Sequence, residues 1–361
     1  MKFGIFILQP QRDGKKPVRK AAAEGIEQVR MAEQLGFDIA WFAEHHFSNY
    51  SLVTSPLTAA VWAAPQTKKI RLGTAVIVAP LYEPMRLLED IAVADQLSDG
   101  RIVLGFGAGY QQHECDRFGV SLPDSRPMMY EFLDLVERAW AGDGPLEYKG
   151  KHYTIPPTHF GVRPVQQPHP PIAIAGMTWD KTIQQRIARN GWTPFVSAQW
   201  KPASEVLETR HQIEAHWTAT GVDPAGLDLA VQRFVYVTED RKEALAAAEH
   251  LRYTYRIAHG FRLGHMDFDR HVIDSVAVEG EPSVEEIAER AIIGDPEKCA
   301  AQLIDEIRTL RPAHISCVMQ FGGLEIAKVM RSMEMMGEKV IPAMERELGD
   351  LEDPGARAAA E

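Results

Sequence analysis

Short apolar runs alternate with longer amphipathic segments along most of the chain. Apolar runs of about five residues are typical of strands buried on both faces of a parallel sheet, and apolar residues three and four apart are typical of the helices that cover it. The pattern predicts eight strands, near residues 3, 39, 73, 103, 173, 194, 233 and 316, with helices between them. Eight such units in one chain predict an α/β fold, the (β/α)8 TIM barrel.

Two long insertions follow the fourth and seventh strands. After the fourth strand we expect a helix over residues 127–141, a hairpin over 146–155 and a proline-rich irregular stretch over 155–171. After the seventh strand we expect a helix from 241 to about 259 and a polar insertion over 261–283. Loops that follow barrel strands build active sites, so both insertions are expected to border the site.

No shift in composition separates a second domain. We therefore expect one barrel domain over residues 1–345 and a flexible, acidic and alanine-rich tail over 346–361. The third strand is expected to run without a break over residues 70–78.

The chain is acidic, with a formal net charge of -11 over 361 residues. An acidic surface repels phosphate backbones and anionic lipids, so neither nucleic acid nor membrane is an expected partner. No apolar run reaches 18 residues, and the first residues lack the cleavage pattern of a signal peptide. The three cysteines match no metal or redox spacing, so a cytoplasmic protein is expected.

The candidate catalytic cluster is Glu44-His45-His46-Phe47, which follows the second strand. Barrel enzymes carry catalytic groups at these strand ends, and adjacent side chains on extended backbone point in opposite directions. One histidine can then face the site while the other supports it. The alternative is a pair of structural histidines. A metal site is disfavoured, because adjacent histidines do not face one ion and no second ligand cluster is evident.

Three further motifs lie at strand ends. Small residues at Gly73, Thr74 and Ala75 would let a flat ligand approach the sheet closely, although tight packing alone also explains them. The run Gly105-Phe106-Gly107-Ala108-Gly109-Tyr110 lacks the spacing of a dinucleotide loop and is also compatible with a simple turn. The run Ala175-Gly176-Met177-Thr178 opens a helix with free N–H groups and a hydroxyl, which suits a phosphate or an ordinary helix cap.

In this order and spacing, the motifs resemble the bacterial-luciferase-like flavin-dependent monooxygenases from residue 1 to about 344. The most specific part is Ile39-Ala40-Trp41-Phe42-Ala43-Glu44-His45-His46-Phe47. Further matching parts are residues 72–80, 83–84, 95–101, 105–110, 114, 118–120, 164–166, 168–171, 294–297 and 320–323.

The resemblance implies an enzyme that binds reduced FMN at the barrel mouth and reacts it with O2, giving a flavin C4a-peroxide that oxygenates the substrate. It implies that a separate flavin reductase supplies the reduced FMN. By motif position His45 is the catalytic residue, and a non-proline cis peptide joins Ala75 to Val76 beneath the flavin ring. The residues expected to bind the cofactor are Glu44, Thr74, Ala75, Val76, Gly107, Tyr110, Ala175, Gly176, Met177 and Thr178, and no metal is expected.

One departure from the family pattern concerns the flavin phosphate. The luciferases proper carry a cysteine and then an arginine where this chain has Gly107 and Ala108. We therefore expect another residue, Arg163 or His169, to replace the arginine, and we do not expect light emission.

The barrel-mouth loops are apolar, which predicts a small hydrophobic organic substrate. The residues behind this prediction are Phe160, Trp179, Trp200, Phe261 and Met266. The resemblance also implies a homodimer, or a dimer of dimers, through the helices over 57–64 and 87–94. Three alternatives stay open: a deazaflavin-dependent hydride-transfer enzyme of the same fold, a flavin-binding barrel without catalysis, and a metal-dependent barrel hydrolase.

Overall fold

The computed structural model describes residues 1–264 and 268–349, and the parallel barrel that the sequence predicts lies within them. The strands are β1 (Lys2–Ile7), β2 (Ile39–Phe42), β3 (Arg71–Thr74), β4 (Ile77–Val78), β5 (Ile102–Gly107), β6 (Leu146–Lys149), β7 (Thr154–Thr158), β8 (Ile172–Ala175), β9 (Thr193–Ser197), β10 (Ala230–Val237), β11 (Phe268–Asp269), β12 (Val272–Ile273), β13 (Ile292–Gly294) and β14 (His314–Val318). The order around the barrel is β1-β2-β3-β5-β8-β9-β10-β14, and β10 closes the ring by pairing with both β9 and β14.

Helices cover the outside of the barrel and bury their apolar faces against the strands. They are α1 (Val18–Gln34), α2 (Pro56–Ala63), α3 (Pro84–Leu97), α4 (Gln112–Arg117), α5 (Leu122–Ala139), α6 (Lys181–Asn190), α7 (Ala203–Ala219), α8 (Arg241–Leu263), α9 (Val284–Arg290), α10 (Pro296–Leu310), α11 (Ile326–Met335) and α12 (Ile341–Leu348), with a π-helical turn at Met336–Val340.

The third strand is broken, so the prediction of one continuous strand over 70–78 is wrong. Gly73 pairs with Val103 and Ile77 pairs with Phe106, which leaves one extra residue on the third strand between these two pairs. Such a bulge redirects the chain at a barrel rim. The expected non-proline cis peptide between Ala75 and Val76 lies within it.

Both predicted insertions are present and contain more regular structure than expected. The first holds α4, α5 and the β6–β7 hairpin, and α5 begins at Leu122 instead of residue 127 because a helix accepts proline in its first turn, here Pro123. The second insertion holds the end of α8, the β11–β12 hairpin and α9. Ser283 and Glu286 form a capping box at the start of α9, a local signal that predicts this helix from sequence.

The last helix continues through Leu348, and the rest of the predicted tail, residues 350–361, lies outside the described residues. In the described part of the chain, none of the helices is both long and apolar enough to cross a membrane. Nor do residues 1–264 and 268–349 contain a group of three or more histidine, cysteine or acidic side chains that could hold a metal ion.

Candidate active site

The carboxyl ends of five strands, β2, β3, β4, β5 and β8, meet at one side of the barrel mouth. Phe42 of β2 pairs with Thr74 of β3, Val78 of β4 pairs with Gly107 of β5, and the next pairing joins β5 to β8. The strand ends that the motifs occupy are therefore adjacent in space. The structure brings together most of the residues that the sequence selects there, namely Glu44, His45, Thr74, Ala75, Val76, Gly107, Tyr110 and Ala175.

Two glycines of β5, Gly105 and Gly107, leave room for the bulge between β3 and β4. A Cβ atom on Gly105 would lie 2.0 Å from the carbonyl oxygen of Thr74, and one on Gly107 would lie 2.8 Å from Val76 Cγ2. The buried Thr74 hydroxyl donates to the Gly105 carbonyl at 3.1 Å and accepts the Gly105 N–H at 2.8 Å. These contacts form a tight floor of backbone and small side chains at the barrel mouth.

Glu44 lies beneath this floor and is fully buried. One carboxylate oxygen is 3.1 Å from His46 Nε2, and the other accepts hydrogen bonds from the Tyr82 hydroxyl at 2.8 Å and the Val78 N–H at 3.3 Å. Burial raises the pKa of Glu44 against the opposing effect of these hydrogen bonds. The side chain ties the end of β2 to β4, and its assignment as a flavin contact stays a prediction.

His45 is held at its Nδ1 edge, and 15% of its side chain is exposed. Nδ1 lies 3.4 Å from a carboxylate oxygen of Glu114 and 2.9 Å from the side-chain nitrogen of Gln111. A carboxylate can only accept, so the proton on Nδ1 points to Glu114. The Gln111 oxygen, which has no partner among the described residues, can take the same role if the amide turns by 180°. Nε2 is then the nitrogen left for a reactant.

Glu114 is buried and charged. Burial acts to raise its pKa, but the hydrogen bond and charge of His45 and the His46 backbone N–H, 2.7 Å away, outweigh burial and lower it. The carboxylate therefore supports a positive charge on His45 and fixes the position of the next residue. Glu114 comes from α4, which sequence periodicity did not predict.

Aromatic rings surround His45. Tyr50 meets the imidazole edge-on at 4.7 Å between ring centroids, Phe261 lies parallel to it at 6.5 Å, and Tyr110 is 6.5 Å away. Burial raises the pKa of Tyr50, which keeps this phenol neutral. The arrangement gives the imidazole an apolar environment in which little water competes for its hydrogen bonds.

The other apolar residues of the predicted substrate pocket are spread over the structure. Phe160 packs against Trp140 and Trp200 against Tyr255, whereas Trp179 is exposed. Met266 lies outside the described residues. Of the predicted set, only Phe261 is shown to stack against His45.

The segment after β8 forms an anion cradle, which we define as residues 176–179. Gly176 and Met177 have φ values of 69° and 51°, and this left-handed backbone turns successive N–H groups toward one side. The N–H groups of residues 177–179 and the Thr178 hydroxyl donate to no acceptor among the described residues. Unpaired donors ahead of a helix start suit a phosphate.

The cation beside this cradle is Arg126 of α5. Its guanidinium lies 3.7 Å from Asp180, the residue that caps α6, and 4.4 Å from the centre of the Trp179 ring. The predicted replacements are engaged elsewhere: Arg163 donates to the Gly142 carbonyl, and His169 Nδ1 lies 2.8 Å from the Pro170 carbonyl. Arg126 carries no sequence signal for this role, because no motif links α5 to the end of β8.

The chain belongs to the luciferase-like monooxygenase family. The family model of that description matches residues 1–312. The family expected from the motifs is confirmed.

Several curated relatives match nearly the whole chain. An uncharacterised protein of Sinorhizobium fredii, y4vJ, is 34% identical over 353 residues, which cover 98% of this chain and 100% of the relative. The oxygenase component of the flavin-dependent trigonelline monooxygenase of Acinetobacter baylyi is 23% identical, with 95% of each chain covered.

Solved structures of the same fold include enzymes with two different cofactors. The oxygenating constituent of 3,6-diketocamphane monooxygenase from Pseudomonas putida, in complex with FMN, has a TM-score of 0.76 at 19% identity, covering 95% of this chain and 98% of its own. An F420-dependent secondary alcohol dehydrogenase has a TM-score of 0.72 at 19% identity, with the same coverage. At this identity the similarity shows the fold, the predicted TIM barrel.

Proposed function

We propose that the protein is a flavin-dependent monooxygenase that uses reduced FMN and O2 to oxygenate a small hydrophobic organic substrate. The observation that carries the proposal is a juxtaposition at one barrel mouth. An anion cradle with an adjacent arginine, a floor of backbone and small side chains, and a histidine backed by a buried carboxylate lie on neighbouring strand ends.

The donor set fits a flavin phosphate. The N–H groups of residues 177–179, the Thr178 hydroxyl and Arg126 would hold the phosphate, and the flavin ring would rest on Ala75, Val76 and Gly107. Bound reduced flavin supplies the chemistry that activates molecular oxygen.

His45 holds and moves the proton at its Nε2 atom, because Glu114 and Gln111 occupy the Nδ1 edge. A neighbouring carboxylate stabilises the protonated imidazole and fixes its orientation. Tyr50 and Phe261 exclude water around the imidazole, which strengthens its interaction with a reacting group.

A separate reductase is part of the proposal. The two relatives whose names specify an oxygenase component and an oxygenating constituent support this division of labour. In addition, the described residues of this chain form one barrel and offer no second nucleotide-binding fold.

The second candidate is a deazaflavin-dependent hydride-transfer enzyme, favoured by the F420-dependent dehydrogenase of the same fold. The Glu44-His45-His46-Phe47 motif favours FMN over this alternative. A barrel that binds flavin without catalysis is a third outcome.

The test is an anaerobic titration of the purified protein with reduced FMN and, in parallel, with reduced F420. Oxygen is then admitted, and oxygen consumption and the return of flavin absorbance are followed with a panel of apolar ketones, aldehydes and aromatic compounds. We expect binding of reduced FMN and substrate-dependent oxygen consumption. Binding of F420 alone would favour hydride transfer, and FMN binding without oxygen consumption would favour the non-catalytic barrel.

We also propose a homodimer. Most apolar residues of α2 and α3 face the barrel, but Trp62, Val93 and Leu97 are 46%, 40% and 62% exposed. Large apolar side chains on adjacent outer helices are typical of a subunit interface. Sedimentation at micromolar concentration should show a dimer, or a tetramer built from it, and Trp62→Arg should shift the species toward the monomer. A wild-type monomer would contradict the proposal.

A further inference from the structure

A cavity of about 760 Å³ opens on the side of the barrel mouth opposite the anion cradle. Its walls come from the loop after β1, from α8 after β10, from the β12 end of the hairpin and from the loop after β14. These strands lie across the ring from β8. The cavity has the volume of a small-molecule site.

Cations dominate its lining. Four basic side chains line the cavity, namely Arg12, Lys15, Lys16 and Lys20, against two acidic ones, Asp13 and Asp274. This local excess of positive charge contrasts with the formal net charge of -11 on the whole chain. A concave surface of one sign concentrates ligands of the opposite sign.

Two of the four cations already have carboxylate partners. Lys16 lies 2.6 Å from the buried Glu24, and Arg12 lies 3.6 Å from Glu249, which also pairs with Arg252. Lys15 and Lys20 have no carboxylate within ion-pair distance in the described part of the chain. Their charges are therefore available to a ligand.

His250 adds a neutral donor of fixed orientation. Its Nδ1 atom accepts hydrogen bonds from the Arg12 guanidinium at 2.8 Å and from the Gly323 N–H at 2.9 Å. Burial and the charge of Arg12 lower the pKa of His250 to about 4, so the ring is neutral at physiological pH. With Nδ1 accepting, the single proton lies on Nε2, which makes that atom a donor.

We propose that this cavity binds a small molecule with a carboxylate or phosphate group, held by Lys15, Lys20 and the Nε2–H of His250. The site is separate from the flavin site and does not rest on the proposed function. Its occupant lies against the hairpin end at residues 272–275.

The cavity wall is also connected to the catalytic segment. The buried Asn49 amide donates to the Arg12 carbonyl at 3.3 Å and the Tyr253 hydroxyl at 3.0 Å, and its oxygen accepts the Ile273 N–H at 3.0 Å. Asn49 directly precedes Tyr50, which packs on His45. A ligand that joins the β1 loop to the hairpin therefore stabilises the structure next to the catalytic histidine.

The test uses the full chain, with inorganic phosphate and citrate as probes at constant ionic strength. Binding is measured by calorimetry, and protection of residues 272–275 is measured by hydrogen exchange. We expect Lys15→Gln/Lys20→Gln to weaken binding about tenfold or more, since each exposed charge close to an anion contributes a several-fold effect. The matched control Lys68→Gln/Lys69→Gln, two exposed lysines remote from the cavity, should bind as the wild type does.

Phosphate can also occupy the flavin cradle, so Arg126→Gln is measured in parallel. The cavity site should survive this substitution, and the Lys15→Gln/Lys20→Gln variant should bind reduced FMN normally. The proposal is overturned if neither probe binds at millimolar concentration, if both lysine pairs lose the same affinity, or if Arg126→Gln abolishes all phosphate binding. None of these outcomes bears on flavin binding, which reduced FMN reports independently.

Discussion

Replacing Glu114 with glutamine tests whether its carboxylate assists His45 in catalysis or only holds the structure together. The change removes one negative charge 3.4 Å from His45 Nδ1 while keeping the side chain's shape. The glutamine oxygen can still accept the His46 N–H that Glu114 accepts at 2.7 Å, so the fold should be retained. The substitution therefore acts on charge.

The magnitude follows from the distance and the burial of the pair. Two unit charges 3.4 Å apart interact by about 5 kcal/mol at an effective dielectric constant of about 20, and by about 1 kcal/mol in bulk water. Glu114 is 4% exposed and His45 is 15% exposed, so the interaction lies between these limits. Allowing for the hydrogen bond that glutamine keeps, a reacting state with positive charge on His45 should lose about 1–3 kcal/mol of stabilisation, or roughly 5- to 150-fold in turnover.

The assay is the rate of oxygen consumption with saturating reduced FMN, measured for both proteins at one pH. The Glu114→Gln rate should fall roughly 5- to 150-fold, because the carboxylate no longer stabilises the charge that develops on His45. FMN affinity and melting temperature should change little. Glu33→Gln is the matched control, since Glu33 also accepts backbone N–H groups but lies away from the mouth.

Turnover numbers that agree within about twofold would refute the reasoning. The hydrogen bond would then serve only to hold α4 against the end of β2. A loss of equal size in Glu33→Gln would also refute it, because the effect would then be one of overall charge.

Other predictions follow from neighbouring groups. His45→Ala should lose about 10²–10⁴ in turnover with little change in FMN affinity. His46→Ala should also lower the melting temperature, because it leaves the buried Glu44 carboxylate short of a partner. Normal turnover in folded His45→Ala would contradict the assignment. Oxidised FMN should bind in the micromolar range or more weakly, so the purified protein should be colourless. A yellow protein with stoichiometric flavin would argue against this weak binding. Arg126→Gln should weaken binding of reduced FMN about tenfold or more, which equilibrium titration measures. Burial lowers the pKa of His314 to about 3 in the fold, below the value of about 6.5 expected when unfolded, so its contribution to stability is complete above pH 6.5 and is lost as pH falls toward 3. Urea unfolding at pH 6.5 and 4.5 should show a smaller loss of stability for His314→Gln than for the wild type, and equal losses would exclude this cause.

Local patterns in the chain are enough to predict the barrel and the outline of its site. Strand and helix periodicity are local, so apolar runs alone locate all eight barrel strands. The Glu44-His45-His46-Phe47 motif and the glycine-containing segment at 175–178 are also contiguous, so their residue types could be linked to catalysis and phosphate binding directly. The capping box formed by Ser283 and Glu286 is also a local sequence pattern, and it predicts the start of α9.

Which groups act together depends on how the elements pack. Glu114 meets His45 across 69 residues of chain, and Arg126 reaches the segment after β8 from a helix of the preceding insertion. Neither pairing leaves a periodic or adjacent signal, because each depends on how α4 and α5 pack over the barrel mouth. The bulge in the third strand has the same origin, since it appears only when β3 and β4 are paired with β5. Local sequence patterns determine which residues form strands and helices. The distances between charged side chains, which set their protonation, are established only when the barrel closes.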